Sequence, residues 1–459
     1  MKNQNADVLV LFGATGDLAK KKLFPALYDL QELGELGVPV VGVASSKWTQ
    51  EVFKGHAEEA IRSRKPDLDE EVLGKLLGEL SLIVGDYQEQ STFQELAEAI
   101  KDYELPVIYL AIAPEHFEKI CQGLDAVGIT KRARVVVEKP FGRDLASAIA
   151  LDESLKKILP EEQIYRIDHY LGKESVEDLL VFRFANTLFE PVWNRNYIKS
   201  IQITMAENFG IEGRGRFYDD VGAIRDVFQN HLLQVLTMLT MEPPIDASAE
   251  AMSNEKVKLL DSIRPIETTD VVRGQYVGYL DEDAVKPHSD TETFVALKLG
   301  IDNWRWAGVP IYVRTGKSLP ETVLEAIVEF NKPPREVFGA TEPNLVRFRL
   351  GARDGVDISL QAKVPGAKLT TERVELTVNF AQEFGDRQGP YERLLGAAII
   401  GDHFRFTRID AVLQTWELID GLLKKPTKLH PYFEGTWGPD EASELLPEGW
   451  TPVGHSVDS

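Results

Sequence analysis

The unbroken apolar run from Val8 to Phe12 stops at Gly13, and a helical pattern then continues through Leu30. A strand that turns on a glycine directly into a helix commits the chain to a crossover, because the next parallel strand must come back beside the first. Further apolar runs follow at Val38 to Val43, Leu82 to Val84, Pro106 to Ile112 and Arg134 to Val137, with helical stretches between them. Apolar strands without polar alternation must be covered on both faces. The first third of the chain is therefore predicted to be a parallel, doubly wound α/β sheet.

The pattern changes after about Asp168. Helical stretches come first, including Ile224 to Leu239. Alternating strands then appear at Thr293 to Leu299, Val346 to Leu350, Val356 to Leu360 and Val374 to Val378. Strands grouped apart from helices predict an α+β domain with a mostly antiparallel sheet. Helix returns at Tyr391 to Ile400 and Ala411 to Leu423, and the tail, rich in Pro, Gly and Trp, is expected to be irregular. A length of 459 residues is too great for one ordinary core. The expected division is 1–168 for a dinucleotide-binding domain and 169–459 for a substrate-binding and oligomerisation domain. No internal repeat is visible.

Charge narrows the function. The formal net charge is −22, so broad nucleic-acid binding is not expected, and any phosphate must find a local basic pocket. No apolar run reaches the roughly 18 residues of a membrane helix. The stretch from Met1 to Asp7 leads straight into the first strand, so no secretory leader and a cytoplasmic location are expected. Cys121 is the only cysteine, which rules out an intrachain disulfide and a Cys-based zinc cluster. No metal site is expected.

Three clusters carry chemistry. In Leu11 to Ala19, Gly13 allows the tight turn, Gly16 admits backbone N–H groups to a pyrophosphate, and Ala19 keeps the helix close to the sheet. The helix start presents free N–H donors and a positive dipole end. Lys20, Lys21 and Lys22 follow, either as a solvated helix face or as phosphate-attracting groups. The second cluster, Arg166 to Glu174, packs a carboxylate (Asp168), an imidazole (His169), a phenol (Tyr170) and an ammonium (Lys173) into a short turn. It reads equally as an exposed polar turn or as a grip on a phosphate. The third, Gly222 to Leu232, reads as a helix with an apolar stripe through Ile224, Val227, Phe228, Val235 and Leu239. His231 among apolar neighbours is either a satisfied core residue or, held by a carboxylate, a general base near neutral pH.

At these residues the chain resembles the glucose-6-phosphate dehydrogenase family. Gly13 to Lys20, Glu138-Lys139-Pro140-Phe141-Gly142, Arg166 to Glu174, Gly222 to Gln234, Val313 to Lys317 and Tyr391 to Leu395 carry the resemblance, in the family's order and over nearly the whole chain. It implies a Rossmann-like N-terminal domain, a larger α+β domain, an active site between them, and a homodimer or homotetramer. It implies oxidation of glucose 6-phosphate at C1, with His231 as the base and Asp168 as its partner. His169, Tyr170 and Lys173 would hold the substrate phosphate, and Glu207 and Asp226 the sugar hydroxyls. Lys139, Lys317 and Arg314 would complete the substrate site. Gly13, Ala14, Thr15, Gly16, Asp17 and Leu18 would cradle the coenzyme, with Lys22 and Lys139 bridging towards it and Tyr109 lying against it. Lys139–Pro140 is a candidate cis bond.

The chain departs from the family's pattern at two places. Ala44-Ser45-Ser46-Lys47 stands where an arginine is common after the second strand, and Thr322 and Val323 stand where some members carry a second cation after the residue matching Lys317. The second strand also ends without an acid for a ribose 2′-hydroxyl. Ser45 and Lys47 would therefore meet a 2′-phosphate, favouring NADP while leaving NAD use possible. Two rival readings remain: a dehydrogenase of the same fold acting on another sugar phosphate, and an inactive relative that only binds nucleotide.

Overall fold

The computed structural model describes residues 5–339, 341–385 and 387–454. The expectation about a leader falls partly on residues 1–4, outside that set. The chain forms two compact units. One takes the N-terminal stretch to Glu174 together with Pro244–Asn254 and Gln388–Leu413. The other takes Ser175–Pro243, Glu255–Arg387 and the stretch from Gln414 onward.

The first unit holds β1 (Val8–Phe12), β2 (Val40–Ala44), β3 (Leu80–Val84), β4 (Pro106–Leu110), β5 (Arg134–Val137) and β6 (Ile164–Arg166). All six run parallel, in the order β3-β2-β1-β4-β5-β6. The continuous apolar runs are explained by two cores built from alternate residues. Leu9, Leu11 and Tyr109 face one core, with Phe53, Ala57 and Leu394. Val8, Val10, Phe12, Ile108 and Leu110 face the other, with Phe93, Leu96 and Ile120. Each such side chain, fully buried, contributes on the order of 1.5–3 kcal/mol. The helix Pro390–Ile400 returns to this unit late in the chain. Arg134 on β5 holds it there by donating to the carbonyls of Ala398 (3.0 Å) and Ile399 (2.7 Å).

The second unit holds β7 (Ile198–Ala206), β8 (Val271–Tyr276), β9 (Phe294–Leu299), β10 (Ile311–Gly316), β11 (Val323–Phe330), β12 (Leu345–Arg349), β13 (Gly355–Lys363), β14 (Thr371–Asn379) and β15 (Leu429–Tyr432). Their order is β14-β13-β12-β11-β7-β10-β9-β8-β15. The sheet is mostly antiparallel, as expected, with two parallel pairings, β7 with β10 and β8 with β15. β15 lies in the tail that composition suggested was irregular. Its four residues are too few to show a period in the sequence, and β8 supplies their partner.

Ile224 to Leu239 is helical as predicted, but in two registers. Ile224–Leu232 is a π-helix and Leu233–Thr240 an α-helix. No helix among the described residues is long and apolar enough to cross a membrane.

Candidate active site

In the first unit, the glycine turn joins β1 to a helix that begins at Asp17. Gly13 has φ +77°, and a Cβ there would lie 2.2 Å from the Ala111 carbonyl oxygen. Only glycine lets the turn sit so close to the end of β4. A Cβ at Gly16 would stand 3.1 Å from the Gly13 carbonyl, so the second glycine also keeps the loop tight. The first-turn N–H groups of the helix have no partner four residues back, which is the usual cradle for a pyrophosphate. Ala14 and Ala19 are fully buried beneath it. The fit to a dinucleotide therefore rests on a cradle that side chains would fill.

Two supports of this loop carried no signal in the sequence. The Tyr87 hydroxyl accepts from the Gly13 N–H (3.1 Å) and donates to the Val43 carbonyl (3.2 Å), tying the turn to β2. Ala111 and Ile112, just past β4, are the neighbours that Gly13 approaches. Beyond β2, Ser45 and Lys47 are exposed, and the Thr15 and Ser46 hydroxyls are bonded at 3.0 Å.

The lysine run resolves into different roles. Lys20 pairs with Glu59 (3.0 Å) and Lys21 with Asp17 (2.6 Å). Lys22 has no carboxylate partner among the described residues. Burial, reinforced by Arg64, lowers its pKa.

The turn after β6 is ordered by its own side chains. The Asp168 carboxylate accepts from the Tyr170 N–H (2.9 Å), and the Leu171 N–H bonds the Asp168 carbonyl (3.0 Å). The Lys173 ammonium sits 3.8 Å from the Tyr170 ring centroid, and His169 lies beside Tyr170 and parallel to Tyr391. Arg393 fixes the turn by donating to the Gly172 carbonyl (2.7 Å). Asp168, His169, Tyr170 and Lys173 are thus gathered in one structured turn, not on a loose polar loop. Lys139–Pro140 is cis.

Tyr109 requires a correction. Its side chain is fully buried, and its hydroxyl donates to Glu138 at 2.5 Å. The residue occupies an inward position of β4, so no ring surface is open for a dinucleotide to lie against. Burial raises the Glu138 pKa to about 7.

In the second unit, Glu207 and Lys317 stand just past the ends of the paired strands β7 and β10, with Ala206 opposite Gly316. Their side chains form an ion pair, and Lys317 also faces the rings of Phe209 (5.3 Å) and Tyr218 (5.2 Å). Tyr218 is buried. Burial first, then the charges of Asp226 and other nearby carboxylates, hold its phenol well above the ordinary range.

The π-helical register decides the third cluster. Five residues along an α-helix would set Asp226 and His231 roughly 140° apart. The i to i+5 register of Ile224–Leu232 stacks them about one turn apart on one face. His231 is 2% exposed and Asp226 half-buried. The Asn230 side chain accepts from the His231 N–H (2.6 Å).

Arg314 also requires a correction. It is buried with its guanidinium 4.4 Å from both the Trp437 and Trp450 rings, and its Nε donates to Thr204 at 3.0 Å. Burial pulls its pKa down to about 10. An arginine enclosed in this way braces the sheet and has no reach to a sugar.

The six-stranded sheet, reversing at β1 and β4 with a glycine turn at that point, defines a Rossmann-type, nicotinamide dinucleotide-linked oxidoreductase. Residues 10–178 match the glucose-6-phosphate dehydrogenase NAD binding domain, and residues 180–450 match the glucose-6-phosphate dehydrogenase C-terminal domain. The chain belongs to the glucose-6-phosphate dehydrogenase family. It is 44% identical over 451 residues to glucose-6-phosphate 1-dehydrogenase 1 of Mycobacterium tuberculosis, covering 97% of this chain and 96% of that protein. The crystal structure of glucose-6-phosphate 1-dehydrogenase from Mycobacterium avium superposes with a TM-score of 0.92 at 43% identity, covering 98% of this chain and 99% of that one. A glucose-6-phosphate dehydrogenase in complex with its substrate glucose 6-phosphate also gives 0.92, at 36% identity, covering 98% and 100%.

Proposed function

We propose that this protein oxidises glucose 6-phosphate at C1 to 6-phosphoglucono-1,5-lactone with NADP, the first step of the pentose phosphate pathway. The observation that carries this reading is the π-helical register that brings Asp226 and His231 to one face of the helix Ile224–Leu232. His231 takes the proton from the C1 hydroxyl. Asp168 orients His231 and stabilises its charged form, as a carboxylate partner does for a general base. Asp226 and Glu207 hold the sugar hydroxyls, and Lys139 and Lys317 complete the sugar site. His169, Tyr170 and Lys173 bind the phosphate through charge-assisted hydrogen bonds. Gly13 to Leu18 would hold the coenzyme pyrophosphate, with Lys22 and Lys139 on its substrate side. When bound, the nicotinamide accepts the hydride from C1.

The division into 1–168 for coenzyme and 169–459 for substrate and assembly belongs to the same proposal. So does a homodimer or homotetramer, supported by the exposed aliphatic side chains of Leu360, Val374, Leu376 and Val378 on the outer strands β13 and β14. Coenzyme reduction on a panel of sugar phosphates, with NADP and NAD in parallel, tests the function. Turnover with another sugar phosphate and not glucose 6-phosphate would overturn the substrate, and no turnover with any would leave only a nucleotide-binding relative.

The coenzyme preference rests on the end of β2. Ser45 and Lys47 offer a hydroxyl and a point charge in place of the bidentate, stacking guanidinium. NADP is expected to be favoured with appreciable NAD use. kcat/KM for both coenzymes should move towards NAD in Lys47→Ala, and an unchanged ratio would clear Lys47 of the role.

A further inference from the structure

The helix that carries Asp226 and His231 is held differently at its two ends. Every residue of its α-helical half, Leu233–Thr240, is buried, so packing fixes that end. The π-helical half begins after Gly222, whose φ of +68° and ψ of 174° break the preceding helix. At this start the backbone N–H groups lack helical partners. One residue supplies partners for two of them. The Glu292 carboxylate accepts from the Ile224 N–H at 3.0 Å, and the Glu292 carbonyl accepts from the Ala223 N–H at 3.0 Å.

Glu292 is itself locked. Arg273 Nη2 donates to Glu292 Oε2 at 3.1 Å, and both side chains are buried. The same guanidinium donates to the carbonyls of Thr427 (2.8 Å) and Asp290 (2.6 Å), so it cannot swing away. A Cβ at Gly222 would lie 2.6 Å from the Glu292 carboxylate, so the glycine is what lets the clamp close on the helix start. The negative charge also lies at the positive end of the helix.

We propose that Glu292, held by Arg273, is a positioning residue that sets the start of the π-helix and so the placement of Asp226 and His231. The pair acts through the helix start that Glu292 holds. The inference rests on the catalytic reading of His231 given above, and His231→Asn serves as the control for that reading.

Glu292→Ala removes the acceptor at Ile224 and strands a buried guanidinium. Arg273→Met/Glu292→Gln removes both charges but leaves an amide oxygen for the Ile224 N–H. In folded Glu292→Ala, kcat is expected to fall about 100-fold, the scale of a misplaced catalytic group. The Kd for NADP, measured by quenching of protein fluorescence, is expected to stay at the wild-type value, and the double variant is expected to recover most of the lost turnover. Wild-type kcat in Glu292→Ala would overturn the proposal, as would an NADP Kd that weakens together with kcat, or a double variant no faster than the single one. If Glu292→Ala does not fold, Arg273→Met/Glu292→Leu decides, since it strands no charge yet leaves the Ile224 N–H without its acceptor: a folded protein with kcat reduced about 100-fold and an unchanged NADP Kd supports the clamp, and near-normal kcat overturns it. Normal turnover in His231→Asn would instead remove the catalytic reading and leave the clamp a purely structural device.

Discussion

At the residue scale, chemistry concentrates in a few side chains whose surroundings differ. His231 is almost wholly buried on a helix with a polar face, so its replacement by Asn keeps shape and removes the proton acceptor. Loss of a general base typically costs about 10²–10⁴-fold. His231→Asn is expected to lose kcat on that scale with little change in substrate KM, and Asp168→Asn to slow turnover as well. Near-normal turnover in steady-state assays of His231→Asn would remove it from the role. Lys173 packs against Tyr170 in a turn that its own hydrogen bonds hold in shape. A hydrogen bond to a charged group contributes on the order of 1.5–3 kcal/mol. Lys173→Ala is therefore expected to weaken glucose 6-phosphate by that amount while leaving glucose, itself expected to be a poor substrate, almost untouched. Equal losses for both sugars would show that Lys173 does not bind the phosphate.

At the element scale, the strand–turn–helix of residues 8–32 depends on one backbone position. Gly13→Ala would place a methyl 2.2 Å from the Ala111 carbonyl in a left-handed conformation. The conformation alone costs about 1–2 kcal/mol for a residue with a Cβ. The contact would also push the loop away from β4 and from its Tyr87 support. A lower Tm together with a weaker NADP Kd is expected, checked by thermal melts and fluorescence titration. An unchanged Kd would mean that the loop does not cradle the coenzyme. The helix that carries Asp226 and His231 shows what periodicity leaves out. Its apolar stripe was legible, since Ile224, Val227 and Phe228 are all buried. Its π register was not, and the residue that caps its start, Glu292, lies far away in sequence.

At the scale of the whole molecule, buried charge gives stability a pH dependence. Glu138, just past the end of β5, is buried, and burial raises its pKa from 4.5 to about 7. Below the lower value the carboxyl is protonated in folded and unfolded chains alike and costs nothing. As pH rises towards and through the upper value, the unfolded chain ionises freely and the folded chain must ionise a buried group, so stability falls. The difference corresponds to roughly 3 kcal/mol. Glu138→Gln keeps an acceptor for Tyr109 and is expected to flatten this decline, becoming more stable than wild type in mildly alkaline solution. Urea unfolding at mildly acidic and mildly alkaline pH measures the difference. A mutant with the wild-type pH dependence would show that Glu138 does not carry the effect.

The sequence by itself determined the parallel sheet, the glycine turn and the family. Each is written in neighbouring residues: runs without polar alternation need cover on both faces, and a glycine between strand and helix needs a backbone that only it can adopt. The clusters Arg166 to Glu174 and Gly222 to Leu232 were equally local, which is why their side chains could be named in advance. Tertiary structure alone decided what those side chains meet. Arg314 looked like part of a substrate motif, yet two tryptophans from the tail enclose it. Tyr109 looked like a surface for the coenzyme, yet β4 turns it inward onto Glu138. The parallel pairing of β7 with β10 sets Glu207 beside Lys317. Local pattern fixes which face of an element is apolar, whereas partner, register and burial depend on segments that only the folded chain brings together.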